Sequence, residues 1–344
     1  MAFIGVDLHT NSFTICRLRD DGSKSFETFS LSASALETFC LSLDGDDEIA
    51  VEATGNTAWF CDEIRPCVGR IVVVNPRQFK VIRTSVKNTD RNDARALAFF
   101  LSKDMLPQTR LKSSHESELA SLTQTRDMLV KQRTQLLNGI HAMFVRHGMK
   151  LKKECLSSKK RLRELDITQF TMLEQIEVAA LRDQALGVTD TLNRLDKAIE
   201  TAASEMKGFE GLTSIKGIGA RSAAVLLAGI GQVEDFPNSD KLAAYIGIVP
   251  KISNSNDTQH SGRITKRGNK LMRTTLVHST LMAIRYSGYL NSHYQRIRER
   301  RGTGKAIIST ARKLLLIIYD TLKKGWIFEN FAEFKIKQNQ YSAG

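Results

Sequence analysis

The sequence predicts a mixed α/β region at its N-terminal end, a long helical middle and a mainly α-helical C-terminal region. Three observations carry this. Short apolar runs alternate with helix-like stretches through the first hundred or so residues. A proline-free stretch then repeats leucine every seven residues, and after Gly208 strand signals give way to glycine turns and basic residues. The expected division is 1–108, 109–207 and 208–335.

In chain order, Phe3-Ile4-Gly5-Val6 reads as a first strand, and Phe13 to Leu18 as its hairpin partner. Glu48 to Val51 and Arg70 to Val74 are two more strands. The Ile-Val-Val-Val run of the latter suits a strand buried on both faces. Helical segments fall near Ala33 to Leu43 and Ala58 to Ile64, so a mixed sheet covered by helices is expected. From His115 to Met149 the chain is helical in composition, with Leu122, Leu129, Leu136 and Met143 seven apart. Leu181, Ala185, Val188, Leu192, Leu195, Ile199, Ala202 and Met206 follow three- and four-residue steps. Two long helices joined by the basic stretch Arg146 to Arg163 form either an antiparallel coiled-coil arm or an ordinary packed pair. Ala306 to Leu322 reads as a core helix.

Charge points to a partner. The 344 residues carry 50 Lys and Arg against 37 Asp and Glu, a formal net charge of +13, so a polyanion is expected. Between Ser261 and Lys324 the count is 15 Lys and Arg against two acids, Glu299 and Asp320, which marks a nucleic-acid surface. An anionic membrane is excluded as a spanning partner, because the apolar run Leu314 to Tyr319 is far short of the roughly 20 residues a span needs. The opening MAFIGVDLHT has no basic n-region or cleavage site, and the five cysteines are scattered without CxxC pairing. Reduced thiols and a cytoplasmic location, at the nucleoid, are expected.

Four acids stand where metal chemistry needs them. Asp7 ends the first strand and Glu52 ends another, and carboxylates there point into the crevice where such sheets place their sites. Thr89 to Ala98 reads as a helix, and Asp90 and Asp93, three apart, share one of its faces. Acids at a helix start also simply complement its positive end. Four converging carboxylates hold two divalent cations about 3.5–4 Å apart, as phosphoryl transfer requires, and oxygen-only ligands suit Mg²⁺ or Mn²⁺.

The C-terminal region carries the apolar-x-Gly-Ile-Gly turn of a helix-hairpin-helix in Leu212 to Ala224. Gly217 and Gly219 permit a tight turn whose following amides face a phosphate, flanked by Lys216 and Arg221. A plain packing corner is the alternative. After Ala243 to Pro250 comes a polar loop, Lys251 to Gly262, and then a basic cluster of Arg263, Lys266, Arg267, Lys270 and Arg273. These are further nucleic-acid contacts, and Arg296 to Lys305 forms a second basic cluster.

Taken together, Gly5-Val6-Asp7, Val51-Glu52-Ala53-Thr54-Gly55, Asp90-x-x-Asp93-Ala94, Gly217-Ile218-Gly219, Gly247-Ile248-Val249-Pro250 and Ile264-Thr265-Lys266-Arg267-Gly268-Asn269 resemble one family along almost the whole chain. It is the bacterial insertion-sequence transposases with a RuvC-like, ribonuclease H-like DEDD domain, which include the Piv pilin-gene invertases and the bridge-RNA-guided recombinases. The resemblance implies that Asp7, Glu52, Asp90 and Asp93 form the metal tetrad, with Mg²⁺ or Mn²⁺ as cofactor. It also implies a C-terminal serine domain with a nucleophilic serine after the Gly-x-x-Pro motif. Ser255 lies five residues past Pro250, and Ser261, beside Gly262, is the alternative. The family joins acids and serine between protomers, so a homo-oligomer, dimer or tetramer, is implied. DNA is the substrate, and a guide RNA from the element is a partner in several relatives. Two other readings remain: a junction-resolving or repair nuclease that uses water, and a DNA-binding protein without catalysis.

Overall fold

The structure is a computed structural model that describes residues 1–75, 79, 89–255 and 258–334, with the backbone alone at 153 and 252–261. The chain divides into two compact units, Met1–Lys112 and Ser113–Gly344.

In the first unit, β1 (Ala2–Leu8), β2 (Ser12–Arg19) and β3 (Lys24–Ser30) form an antiparallel meander. β4 (Glu48–Glu52) and β5 (Arg70–Val74) then run parallel to β1, giving the order β3-β2-β1-β4-β5. This mixed α/β arrangement is consistent with a ribonuclease H-like domain. The alternation of side chains along each strand sorts the sheet into two faces. Ile4, Val6 and Leu8 of β1, with Ile49 and Val51 of β4, pack against α1 (Ala33–Leu41) and α2 (Thr57–Ile64) through Phe39 and Phe60. On the opposite face Ala50, Val72 and Val74 pack against Leu97 and Leu101 of α3 (Asp90–Leu101). The buried carboxylate of Asp47 pins the start of β1, accepting from the Ala2 amide at 2.7 Å and facing Arg17 at 3.4 Å.

The residue that lets α3 reach the sheet is Gly5. A Cβ there would lie 2.0 Å from the Ala94 carbonyl oxygen and 2.5 Å from the Ala98 amide nitrogen. The helix backbone thus rests directly on β1, flanked by Ala94 and Ala98, both fully buried.

The second unit begins with α4 (Ser114–Arg146) and α6 (Met172–Ser204), each opened by a capping box, Ser113 with Glu116 and Thr171 with Glu174. They pack antiparallel: His115 lies against Ala202, Arg126 pairs with Asp196, Arg133 donates to Thr189, and His147 meets Glu174. Between them the expected basic connector holds a short helix, α5 (Lys159–Arg163), whose Leu162 joins the core at the helices' far end. The seven-residue repeat is only part of the seam. Met143 is buried, whereas Leu122, Leu129 and Leu136 are half-buried and share the contact with Leu119, Thr123 and Ile140.

The remaining elements are α7 (Phe209–Ser214), α8 (Ala220–Ile230), α9 (Ser239–Ile246), β6 (Pro250–Ser255), β7 (Thr258–Ile264), α10 (Lys270–Tyr286), α11 (Gly288–Arg301) and α12 (Thr303–Lys324). Their core centres on α8 and the apolar face of α12, with Leu314, Leu315, Ile317 and Ile318 fully buried. Ala224 and Ala228 of α8 also pack on Leu119 and Ile199, so the long helices are seated on this core rather than free of it. The polar stretch expected to be a loop after Pro250 is instead a hairpin, with Ile252 opposite Ser261 and Ser255 opposite Thr258. All five cysteines are unbridged. Among the described residues no helix is long and apolar enough to cross a membrane.

Replacing Gly5 by Ala puts a methyl group into helix backbone that has no flexible end to yield. The expected cost is about 1–3 kcal/mol, the usual price of overpacking, and more for Gly5→Val. Urea unfolding of both variants checks this, and a Gly5→Val midpoint equal to wild type would contradict the close approach.

Candidate metal centre and nucleic-acid surfaces

Asp7 lies two residues beyond Gly5 on β1, hence on the same face as α3. Antiparallel packing of α3 on β1 carries the first turn of the helix past Gly5 to Asp7. Thr89 caps that turn, its hydroxyl accepting from the Asn92 amide, and Asp90 and Asp93 occupy it. The carboxylates gather around an unexpected member, His9. Its Nε2 lies 3.3 Å from Asp7 Oδ2 and 3.5 Å from Asp90 Oδ1. Among the described residues, ligand atoms of Asp7, His9 and Asp90 lie within 4.8 Å of one another, close enough to share one cation.

Glu52 enters by register. Val6 pairs with Val51, so Glu52 follows next to Asp7 on the neighbouring parallel strand, and with Ala50 it belongs to the α3 face. A small net of hydrogen bonds fixes the turn after it. Thr57 Oγ1 donates to the Glu52 carbonyl at 2.7 Å and accepts from the Thr54 amide at 2.9 Å. Asn56 Nδ2 donates to the His9 carbonyl at 2.9 Å, tying the ends of β1 and β4 together. The four acids expected from the sequence are thus arranged by two strand ends and one helix start. Sequence reading missed His9, although its position two residues after Asp7 was a usable sign.

Crowding shows in the electrostatics. Burial raises the Asp7 carboxyl above its ordinary range, opposed by His9 and reinforced by the charges of Asp90 and Asp93. Burial also raises Asp93, with Asp90 adding to it. A donor set of carboxylates and one imidazole, pressed together against mutual repulsion, fits a divalent cation.

The C-terminal candidates divide. Gly217 has φ 110°, and a Cβ there would lie 2.6 Å from the Ala283 amide nitrogen, so this glycine seats the α7–α8 turn on α10. Gly219 begins α8 in open space. The amides after it face a recess of about 510 Å³ that also holds Asp196 and Glu200, and Arg221 pairs with Asp196 at 3.2 Å. Acids beside the helix start oppose a phosphate there, while Lys216 is exposed.

Arg263, Lys266, Arg267 and Lys270 are exposed. Arg273 is engaged differently: its Nη1 donates to the Ile246 carbonyl at 3.0 Å and the Arg267 carbonyl at 2.8 Å, and burial lowers its pKa. It fastens a backbone clasp in which Gly247 (φ 81°) and Gly268 (φ 79°) bring two segments together. A Cβ on Gly247 would lie 1.9 Å from the Arg267 carbonyl oxygen, and one on Gly268 would lie 2.0 Å from that of Tyr245. The clasp closes the base of the β6–β7 hairpin, with the Thr265 amide donating to the Val249 carbonyl. Ser255 ends β6, and Ser261 lies within β7. Their side chains lie outside the described residues.

A raised folded-state pKa adds stability at low pH that is lost as pH rises through it, so at neutral pH the ionised acids weigh against the fold. Without metal, Asp7→Asn is therefore expected to melt at a higher temperature than wild type at pH 7. The gap should close toward about pH 4, near the ordinary carboxylate range. Calorimetry at both pH values checks this; a variant that melts lower at pH 7 would refute the crowding.

The profile described as "Transposase", of the DEDD type of IS110, matches residues 4–149, and that of the "Transposase IS116/IS110/IS902 family" matches residues 210–295. The transposase for insertion sequence element IS1111A of Coxiella burnetii is 27% identical over 335 residues, covering 93% of this chain and 89% of its own. The transposase for IS1328 of Yersinia enterocolitica is 22% identical, over 95% of this chain and 98% of its own. A pilin gene-inverting protein of Moraxella bovis is 24% identical, over 95% and 97%. With an α/β unit that gathers acids at the start of the first match, and a second match to the same family further on, the chain belongs to the IS110/IS116/IS902 transposases and carries their DEDD domain.

Proposed function

We propose that this chain is a DNA recombinase that cleaves and rejoins the strands of its own insertion sequence, with Asp7, Glu52, Asp90 and Asp93 as metal ligands and a serine as nucleophile. The observation that carries the proposal is the meeting of Asp7 with Asp90 around His9, beside Asp93 and Glu52, in a domain matched as DEDD. Mg²⁺ or Mn²⁺ held there would neutralise charge on a phosphate under attack and on the oxygen that leaves. A His9 imidazole among the ligands would suit Mn²⁺ better than Mg²⁺, the harder ion that takes oxygen donors.

The chain's own groups divide the remaining work. The acids hold the charge that binds the cation, and α3, seated on Gly5, keeps two of them in place. The serine, Ser255 in preference to Ser261, supplies the oxygen. Its Oγ forms a bond to phosphorus as a bridging P–O bond of the DNA breaks, its proton leaves to a base, and the departing oxygen takes one up. The exposed residues Lys216, Arg263, Lys266, Arg267 and Lys270 meet the DNA backbone without reading sequence. A guide RNA from the element, pairing with the DNA, would supply sequence choice. The pilin-inverting relatives make inversion a candidate outcome beside insertion, and assembly into a dimer or tetramer is part of the same proposal.

The test is cleavage of DNA carrying the element's junction, with Mg²⁺ and the flanking transcript, resolved on denaturing gels before and after protease. Wild type should give a protease-sensitive protein–DNA adduct. Asp7→Asn should lose it by at least about a hundredfold, as should one of Ser255→Ala and Ser261→Ala. Cleavage that survives both serine changes without an adduct would leave a nuclease that uses water. Tight, salt-sensitive binding without cleavage would leave a DNA-binding protein.

A further inference from the structure

One side of the second unit holds a groove of about 1690 Å³ between α9, α11, α12 and the base of the β6–β7 hairpin. Small-molecule pockets run to roughly 300–1,000 Å³, so this one has room for a length of chain. Its rim is cationic. Arg263, Lys266, Arg301 and Lys305 line it, all exposed, and among the described residues none of the four makes an ion pair. One face of α12 adds Arg312, Lys313, Lys323 and Lys324 at helical spacing. The two acids in the lining are both taken: Asp240 pairs with Arg312 at 3.0 Å, and Asp320 with Lys324 at 3.4 Å. Eight cations against two acids leave six positive charges on one groove.

The floor is of another kind. Ile264, Ile297, Ile308 and Leu316, each half-buried, put aliphatic surface between the charges. His293 lies among them, 3.0 Å from Ser309 Oγ. Burial first, and then Lys313 and Arg296, push its pKa down to about 4, so it stays neutral beside the cations. The groove wall on α12 lies wholly beyond residue 295, outside both family matches.

We infer that this groove binds an unpaired run of nucleotides, with phosphates along the basic rim and bases on the aliphatic floor. The inference rests on the proposal that the chain acts on nucleic acid, and it adds a site of its own. A duplex keeps its base faces inside the stack and would leave the floor without a partner. An unpaired strand offers phosphate and base face together, the combination that binding grooves for single strands exploit.

The test compares the full chain with the triple variant Arg301→Ala, Lys305→Ala, Lys313→Ala, three groove cations that the recombinase proposal does not use. Fluorescence anisotropy is read on labelled 12-nucleotide oligouridine, oligothymidine and a duplex of equal length. Single-strand affinity, for either RNA or DNA, should fall at least about tenfold, and the slope of log K against log salt should ease by about 2. Duplex affinity should stay within about twofold. Unchanged single-strand binding, or an equal loss on the duplex, would overturn the inference, as would polyglutamate outcompeting the oligonucleotides. If wild type never cleaves DNA while the triple variant still loses strand binding, the recombinase reading fails and the groove stands.

Discussion

The contact between the backbone of α3 and Gly5 is the constraint on which the acidic centre depends. A helix can lie this close to a strand only where the strand has no side chain and the helix presents alanine. Any bulk at Gly5 lifts α3 from the sheet and carries Asp90 and Asp93 away from Asp7 and from His9, which meets both Asp7 and Asp90. The same helix start brings its own positive end toward the carboxylates, which offsets part of their repulsion. Burial, with the repulsion that remains, raises the Asp7 and Asp93 carboxyls, and a cation bound there would relieve that cost.

The second unit relies on the same device in another place. Gly247 and Gly268 let two backbone segments touch at the foot of a polar hairpin, and Arg273 locks them by donating to the carbonyls of Ile246 and Arg267. The hairpin is short and hydrophilic, and an isolated pair of strands is marginal in water. The clasp gives it a fixed origin, and the adjoining groove wall on α12 stands on a fully buried apolar face. Rigid scaffold under exposed polar groups is the arrangement expected where a protein handles a charged polymer.

Much of this was legible in the chain. β5 announced itself by its continuous Ile-Val run, and α12 by the apolar stretch inside a basic region. Asp7, Glu52, Asp90 and Asp93 were readable because strand ends and helix starts are local features. Other elements were not. β3, KSFETFS, buries none of its residues fully, so no alternation marks it as a strand. The Ser- and Asn-rich stretch after Pro250 reads as a loop because its pairing comes from backbone hydrogen bonds and not from side-chain pattern. Arg273 resembled its basic neighbours, and only the carbonyls around it reveal that it serves the fold.

The sequence by itself determined four of the five strands of the first unit, the two long helices and α12, the sign and location of the charge, and which carboxylates were candidates, since these follow from local periodicity and composition. Tertiary structure alone decided which groups meet. His9 joins Asp7 and Asp90 because α3 packs on Gly5 more than 80 residues before it in the chain. The cations of β7, α11 and α12 share one groove because separate helices close on a common core. Encounters between distant segments depend on how surfaces fit, and no window along the chain contains both partners.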